Sequence, residues 1–289
     1  MFLSILEAGM TSALITLILT TILYYFGKKG WAGNLFADVR GGIPRGIGIA
    51  VLISLYLFLE TPCNYIILVM GVLALFDDIL GRKRIKPIPV DLGQLCRGLG
   101  MILVIIFAYP IMGLNSILLS LFIQPLNISD MQPGCTCTTV IIMSIIALII
   151  SLILNINPIN SLILLVVCIA YSPLDYSGKI MMGEVGNHSF AMALGLIFYQ
   201  VQGFYSLLLS FFIVTLVIAF LRRNNLKIFL ENKLGILNPS FGDYFMDVLT
   251  GGGLGDLARK FLLRNKKIVV NNNILKKLGL RRLLYNPYY

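Results

Sequence analysis

Nine stretches of almost unbroken apolar residues run along the chain, near 4–26, 46–60, 63–80, 98–112, 114–128, 138–155, 159–173, 186–202 and 204–221. Crossing a bilayer takes ~20 mostly apolar residues. A chain of 289 residues that is 58% hydrophobic and 12% charged cannot hide that surface in a soluble core, so lipid must be the solvent for most of it. The expected fold is an all-α polytopic membrane protein with about nine transmembrane helices, within a range of eight to ten because the fifth and seventh stretches are short.

Loop charge sets the orientation, because Lys and Arg stay in the cytoplasm. Alternate connections carry Lys28, Lys29, Arg40 and Arg45, then Arg82, Lys83, Arg84, Lys86 and Arg97, then Lys179, then Arg222, Arg223, Lys227 and the tail. The opposite connections, near 61–63, 113, 156–158 and 203, carry neither residue. All 23 basic residues thus fall on one side, which predicts an N-terminus outside and a C-terminus in the cytoplasm, in the cell membrane. The first stretch ends in Lys28-Lys29 and has neither a basic start nor a small-residue cleavage site, so it reads as a retained helix. The net charge of +10 sits in loops between spans, which points to anionic membrane lipids and anionic substrates and away from nucleic acid.

Two regions follow, a transmembrane catalytic-type domain at 1–221 and a basic cytoplasmic or interfacial tail at 222–289. In the tail, Asn238-Pro239-Ser240 and Gly251-Gly252-Gly253 are breaks, and Leu257–Ile268 and Ile274–Leu284 mix apolar with basic residues, as helices in the headgroup plane do. The glycine run reads as a loop entering such a helix. Cys63, Cys96 and Cys168 lie in or beside apolar runs and Cys135-Thr-Cys137 lacks zinc spacing, so no metal–cysteine site is expected.

The 13 acidic residues are few enough to weigh singly. Asp77-Asp78 closes the third stretch, where carboxylates need a cation or a polar cavity. Adjacent helical positions point ~100° apart, so the two serve different neighbours. Asn127-Ile-Ser-Asp130 ends the fifth stretch before a Pro133-Gly134 turn. Glu184 and His188 in Lys179-Ile-Met-Met-Gly183-Glu184-Val-Gly186-Asn187-His188 share a face if a helix has begun there. Arg40-Gly-Gly-Ile-Pro44-Arg45-Gly-Ile-Gly48 sets two guanidinium groups beside a Gly/Pro turn, and arginine forks suit phosphate. Each segment alone has an ordinary explanation as a turn, a helix end or a positive-inside loop. Under the derived topology all four reach one cytoplasmic surface, where hard carboxylate oxygens and Arg/Lys together suit Mg²⁺ and phosphates.

In that order the segments resemble the polyprenyl-phosphate N-acetylhexosamine-1-phosphate transferases, which include phospho-N-acetylmuramoyl-pentapeptide transferase. Gly42-Ile-Pro-Arg-Gly-Ile-Gly48 looks like the family's Pro/Gly-rich loop, and Phe76-Asp77-Asp78-Ile-Leu-Gly81 is similar to its aspartate pair. Asn127-Ile-Ser-Asp130 matches the start of its Asn-x-x-Asp loop, and Lys179–Gly186 looks like its Lys-x-Phe-Met-Gly-Asp-x-Gly segment. The resemblance covers about residues 20–222. It implies transfer of a sugar-1-phosphate from a UDP-sugar to undecaprenyl phosphate, with release of UMP. By the same resemblance Asp77, Asp78 and Asp130 are catalytic, and Glu184 with Asp78 binds Mg²⁺. Arg45, Asn127, Lys179, Asn187, His188 and the basic 82–86 loop hold diphosphate or the lipid headgroup. A homodimer is left open.

The chain departs from the family in three places. Glu184 stands where the family has Asp, Met131-Gln-Pro-Gly134 replaces Gly-Leu-Asp-Gly, and the histidine-rich loop is missing, His188 being the only histidine. These departures keep a second expectation in view, a catalytically inactive relative that binds lipid phosphate or serves as a scaffold. A transporter is the third, opposed by span interiors nearly free of charge and by the lack of an internal repeat.

Overall fold

A computed structural model describes residues 2–81, 83, 91–264, 266 and 268–286; the Arg82, Arg84 and Lys86 positions of the basic loop lie outside the described residues. The chain is 76% helical with almost no sheet. It divides into two compact units, Met1–Phe211 and Phe212–Tyr289. The first contains α1 (Phe2–Lys28), α2 (Ile49–Phe58), α3 (Cys63–Leu80), α4 (Leu92–Met112), α5 (Asn115–Leu121), α6 (Ile123–Ser129), α7 (Cys135–Ile153) and α8 (Ile159–Tyr176). Helix α9 (Gly183–Leu221) begins in it. The second unit holds the end of α9, then α10 (Arg223–Leu234), α11 (Phe241–Thr250), α12 (Gly253–Leu263), α13 (Asn273–Lys277) and α14 (Leu280–Leu283).

Six helices among the described residues, α1, α3, α4, α7, α8 and α9, are long and apolar enough to cross a membrane. Each of the nine apolar stretches is helical, but not all nine are single long helices. Helix α2 has ten residues, about 15 Å against a hydrocarbon core of about 30 Å. The stretch at 114–128 is two seven-residue helices that meet at Phe122. Pro125 accounts for the break, since its ring clashes with the carbonyl four residues back, at Leu121. In α9 the backbone leaves helical geometry at Gln202 (φ −153°, ψ 31°) and Gly203 (φ 63°, ψ −140°), so the 39 residues hold two straight segments.

The first of those segments is the centre of unit 1. Every residue from Val185 to Phe198 is buried, the pattern of a helix apolar on all sides. Around it, α1 packs against α2 and α8, α3 lies between α2 and α4, and α7 packs on α8. Leu17, Ile102, Ile106 and Leu152 are exposed on α1, α4 and α7, as side chains that face lipid would be. Gln200 donates to Sγ of Cys63 at 3.1 Å, while the N–H of Glu184 donates to Asp78 at the other end of α3. Helix α3 and the first segment of α9 therefore run antiparallel.

Helices that share a lipid solvent gain little from apolar burial against each other, so close backbone approach through small residues matters more. A Cβ on Gly48 would fall 2.3 Å from Cα of Gly186 and 2.7 Å from the carbonyl oxygen of Met182. The two glycines let the start of α2 touch the start of α9. The short hairpin Phe36–Ala37 with Ile43–Pro44 leads into that contact. From it Pro44 accepts from the N–H of Met181 at 2.8 Å, and Gly48 donates to Met182 at 2.9 Å. The Gly/Pro loop and the segment before α9 are thus zipped together by main-chain bonds.

Unit 2 starts α11 with a capping box, in which Ser240 and Asp243 exchange side-chain and backbone bonds. Its interior is unusually ionic. Asp243 meets Arg281 at 2.5 Å, Asp247 meets Nε of Arg282 at 2.5 Å, and Asp256 pairs with Arg259. Its buried apolar residues include Val214, Ile218, Leu226, Leu230, Ile236 and Val248.

Gly48→Ala sets a methyl group against backbone that has nowhere to move. We expect it to destabilise the protein by about 1–3 kcal/mol, read as a midpoint lower by several degrees in thermal unfolding in detergent. An unchanged midpoint would show that the helices separate without cost.

Candidate functional site

The free N–H groups of α9 are the scaffold of the site. Gly183 donates to Oδ2 of Asp130 at 3.0 Å, Glu184 to Oδ1 of Asp78 at 3.0 Å and Val185 to Oδ2 of Asp78 at 3.0 Å. The first turn of a helix has unpaired donors and a partial positive charge, so two carboxylates settle there. Gly183 can serve because φ is +74° and because a Cβ would lie 2.5 Å from Oδ2 of Asp78.

Two arginines close the ring of carboxylates. Nη2 of Arg45, held by the zipped loop, is 3.2 Å from Oδ1 of Asp78 and 4.0 Å from Oε1 of Glu184. Nη2 of Arg97, in the second turn of α4, is 2.9 Å from both Oδ2 of Asp77 and Oε1 of Glu184. Asn127 completes the link with its amide nitrogen facing Glu184, the orientation that avoids setting like groups against each other. It donates to Oε1 at 3.0 Å and Oε2 at 2.5 Å and accepts from Nη1 of Arg97 at 2.7 Å. Helix α9 has begun by Glu184, so His188 shares its face, with Nε2 3.3 Å from Oε2. Four carboxylates thus gather with two guanidinium groups, a surplus of two negative charges when all are ionised. Burial, then the charges of Asp175 and Glu184, pushes the Asp130 carboxyl up to about 6.

Seven of the residues singled out in the sequence come together here: Arg45, Asp77, Asp78, Asn127, Asp130, Glu184 and His188. Asn187 is buried beside them but accepts from Oγ1 of Thr136 at 3.1 Å, a bond between α7 and α9. Lys179 is exposed and makes no ion pair among the described residues. Arg97 was grouped with the loop charges, yet it is the link between Asp77 and Glu184. A helix start at Leu92 rather than 98 would have placed it inside the helix, where an arginine needs a carboxylate partner. Asp175, which accepts from the N–H of Gly134 at 3.0 Å and so holds the turn after Asp130, was also missed.

Among the described residues no three His, Cys, Asp or Glu side chains form a ready-made metal cage. The donor chemistry nevertheless suits Mg²⁺, which binds through one or two carboxylates plus substrate phosphates and retained water rather than a full protein cage. In comparisons with known proteins, neither a family model nor a curated sequence matches the chain.

Arg97→Ala leaves Asp77 and Glu184 buried without their shared cation. We expect a loss of about 3–5 kcal/mol, seen as a large fall in the thermal midpoint in detergent at pH 7. Asp77→Asn should cost less, because Arg97 keeps Glu184.

Proposed function

We propose that this chain transfers a sugar-1-phosphate from a UDP-sugar to polyprenyl phosphate, as a divergent member of the family its four segments resemble. The observation that carries this is the assembly of Arg45, Asp78, Glu184, Asn127 and Arg97 into one contact network, from segments as far as 139 residues apart. An acid- and arginine-rich cluster at the ends of apolar helices suits a reaction between a lipid phosphate and a soluble diphosphate.

In the reaction a lipid-phosphate oxygen attacks the phosphorus that bears the sugar. The phosphoanhydride bond to the uridine-side phosphate breaks, and UMP leaves with the electron pair. Such transfers are catalysed mostly by positioning and by charge neutralisation. Backbone N–H groups at the helix start hold and aim Asp78, and Asp77 lies one helical step away, held by Arg97. Arg45 and Arg97 exchange carboxylate for phosphate oxygens when the diphosphate enters, since bidentate guanidinium suits both. Glu184 and Asp78 would hold Mg²⁺, which neutralises diphosphate charge when bound. The same proposal puts nine crossings in the cell membrane, with the N-terminus outside and this site on the cytoplasmic face. One feature favours the second function, a lipid-phosphate-binding protein without turnover: Arg97 already bridges two of the carboxylates.

Purified protein in detergent, given undecaprenyl phosphate and a panel of UDP-sugars, separates the two through UMP release with and without Mg²⁺. We expect Mg²⁺-dependent UMP from one donor, reduced ~100-fold or more in Asp78→Asn and Glu184→Gln and retained in Glu184→Asp. Folded protein that releases no UMP from any donor, or variants that stay fully active, would overturn the assignment.

A further inference from the structure

Unit 2 buries several charged side chains and exposes several large apolar ones. Arg259 and Arg282, at 5% and 2% exposure, are buried with Asp243 and Asp247, while large apolar side chains point outward. On α12 the exposed residues include Ala258, Phe261 and Leu262, at the helical spacings of three and four, and they form an apolar face. Leu262 is 82% exposed, and beyond the helix Val269, Ile274 and Leu278 are exposed as well. A single exposed apolar residue means little, but several on one helix face mark an interaction surface.

Charge and connectivity identify what covers it. From Arg222 to the end, 13 Lys and Arg stand against four Asp and Glu, so this segment carries +9 of the chain's +10. Three of the four acids are neutralised internally by Arg259, Arg281 and Arg282, which leaves a surplus of lysines and arginines in the segment. Lys276 and Lys277 follow Ile274-Leu275, and Arg264 and Lys266 follow Leu262. The unit also begins inside an apolar helix, where Leu216 and Phe220 are exposed only a few residues before α10. Such a surface, tied to the end of a membrane-crossing helix, lies within reach of the headgroups.

We propose that unit 2 docks its outward apolar face into the headgroup layer of the anionic bilayer that holds the chain. Phe261, Leu262 and Ile274 enter the boundary between headgroups and acyl chains, and the flanking Lys and Arg meet lipid phosphates. The docking is separate from the cluster at the start of α9 and stands whether or not that cluster is catalytic.

The chain's single tryptophan, Trp31, allows a direct test in full-length protein. In a Trp31→Phe background, Leu262→Trp puts the only indole on the α12 face, and Ile274→Trp does so on α13. An exposed position tolerates the change, and two reporters keep the test standing if one variant misfolds. In anionic nanodiscs we expect blue-shifted emission, at least twofold quenching by lipids brominated high in the acyl chain, and little quenching by acrylamide. The bromolipid quenching should fall at least twofold in zwitterionic discs. Solvent-like emission quenched only by acrylamide would overturn the proposal, as would equal bromolipid quenching whatever the lipid charge. Blue-shifted emission that bromolipid leaves unchanged would overturn it too, since a second copy of the chain would then cover the face.

Discussion

The first N–H groups of a helix have no partner within it, and in α9 three of them are taken by side chains from elsewhere. Asp130 accepts from Gly183, and Asp78 accepts from Glu184 and Val185. This interaction ties the end of α3, the turn after α6 and the start of the central helix to one point. It also sets the electrostatics. Negative charge gathered at that helix end draws in Arg45 and Arg97, and the arginines in turn stabilise Glu184 and Asp77. Remove the helix terminus and the remaining carboxylates would repel one another in a medium that screens them poorly.

Much of this was legible in the sequence because lipid makes strong demands. The apolar stretches had to be helical, since a backbone in hydrocarbon must satisfy its own hydrogen bonds. Charged residues at their ends had to find one another. Arg45, the aspartate pair, Asn127, Asp130 and Glu184 could therefore be assigned to a common surface before any distance was known. Hidden from that level were features that depend on local backbone geometry. Pro125 splits one apolar stretch into two short helices, and the start of α4 lies six residues before its apolar run, which concealed Arg97. Lys179 sits within the most motif-rich segment, yet the tight turn through Gly178 leaves it in solvent. Sequence adjacency carries no information about which way a side chain leaves such a turn.

The two units solve opposite problems with the same pair of side-chain types. In unit 1 the ion pairs stand at helix ends. In unit 2 Arg282 and Asp247 are sealed inside, at 2% and 4% exposure. Buried pairs of that kind contribute little net stability compared with apolar packing, but a broken one is costly. They fix the arrangement of short helices that would otherwise have little to specify it, and they release the apolar side chains for the outer surface.

The contact between Gly48 and Gly186 has a consequence for recognising descent. Carboxylates, loops and even helix number can drift while chemistry or binding partners change, and each leaves a different trace. Two main chains that touch leave no room for substitution on either side. Diverged relatives of this chain should keep both glycines, each in its own segment and 138 residues apart here, after the side chains around them have been exchanged. The paired glycines are thus a lineage marker independent of activity, carried by the backbone rather than by any functional group.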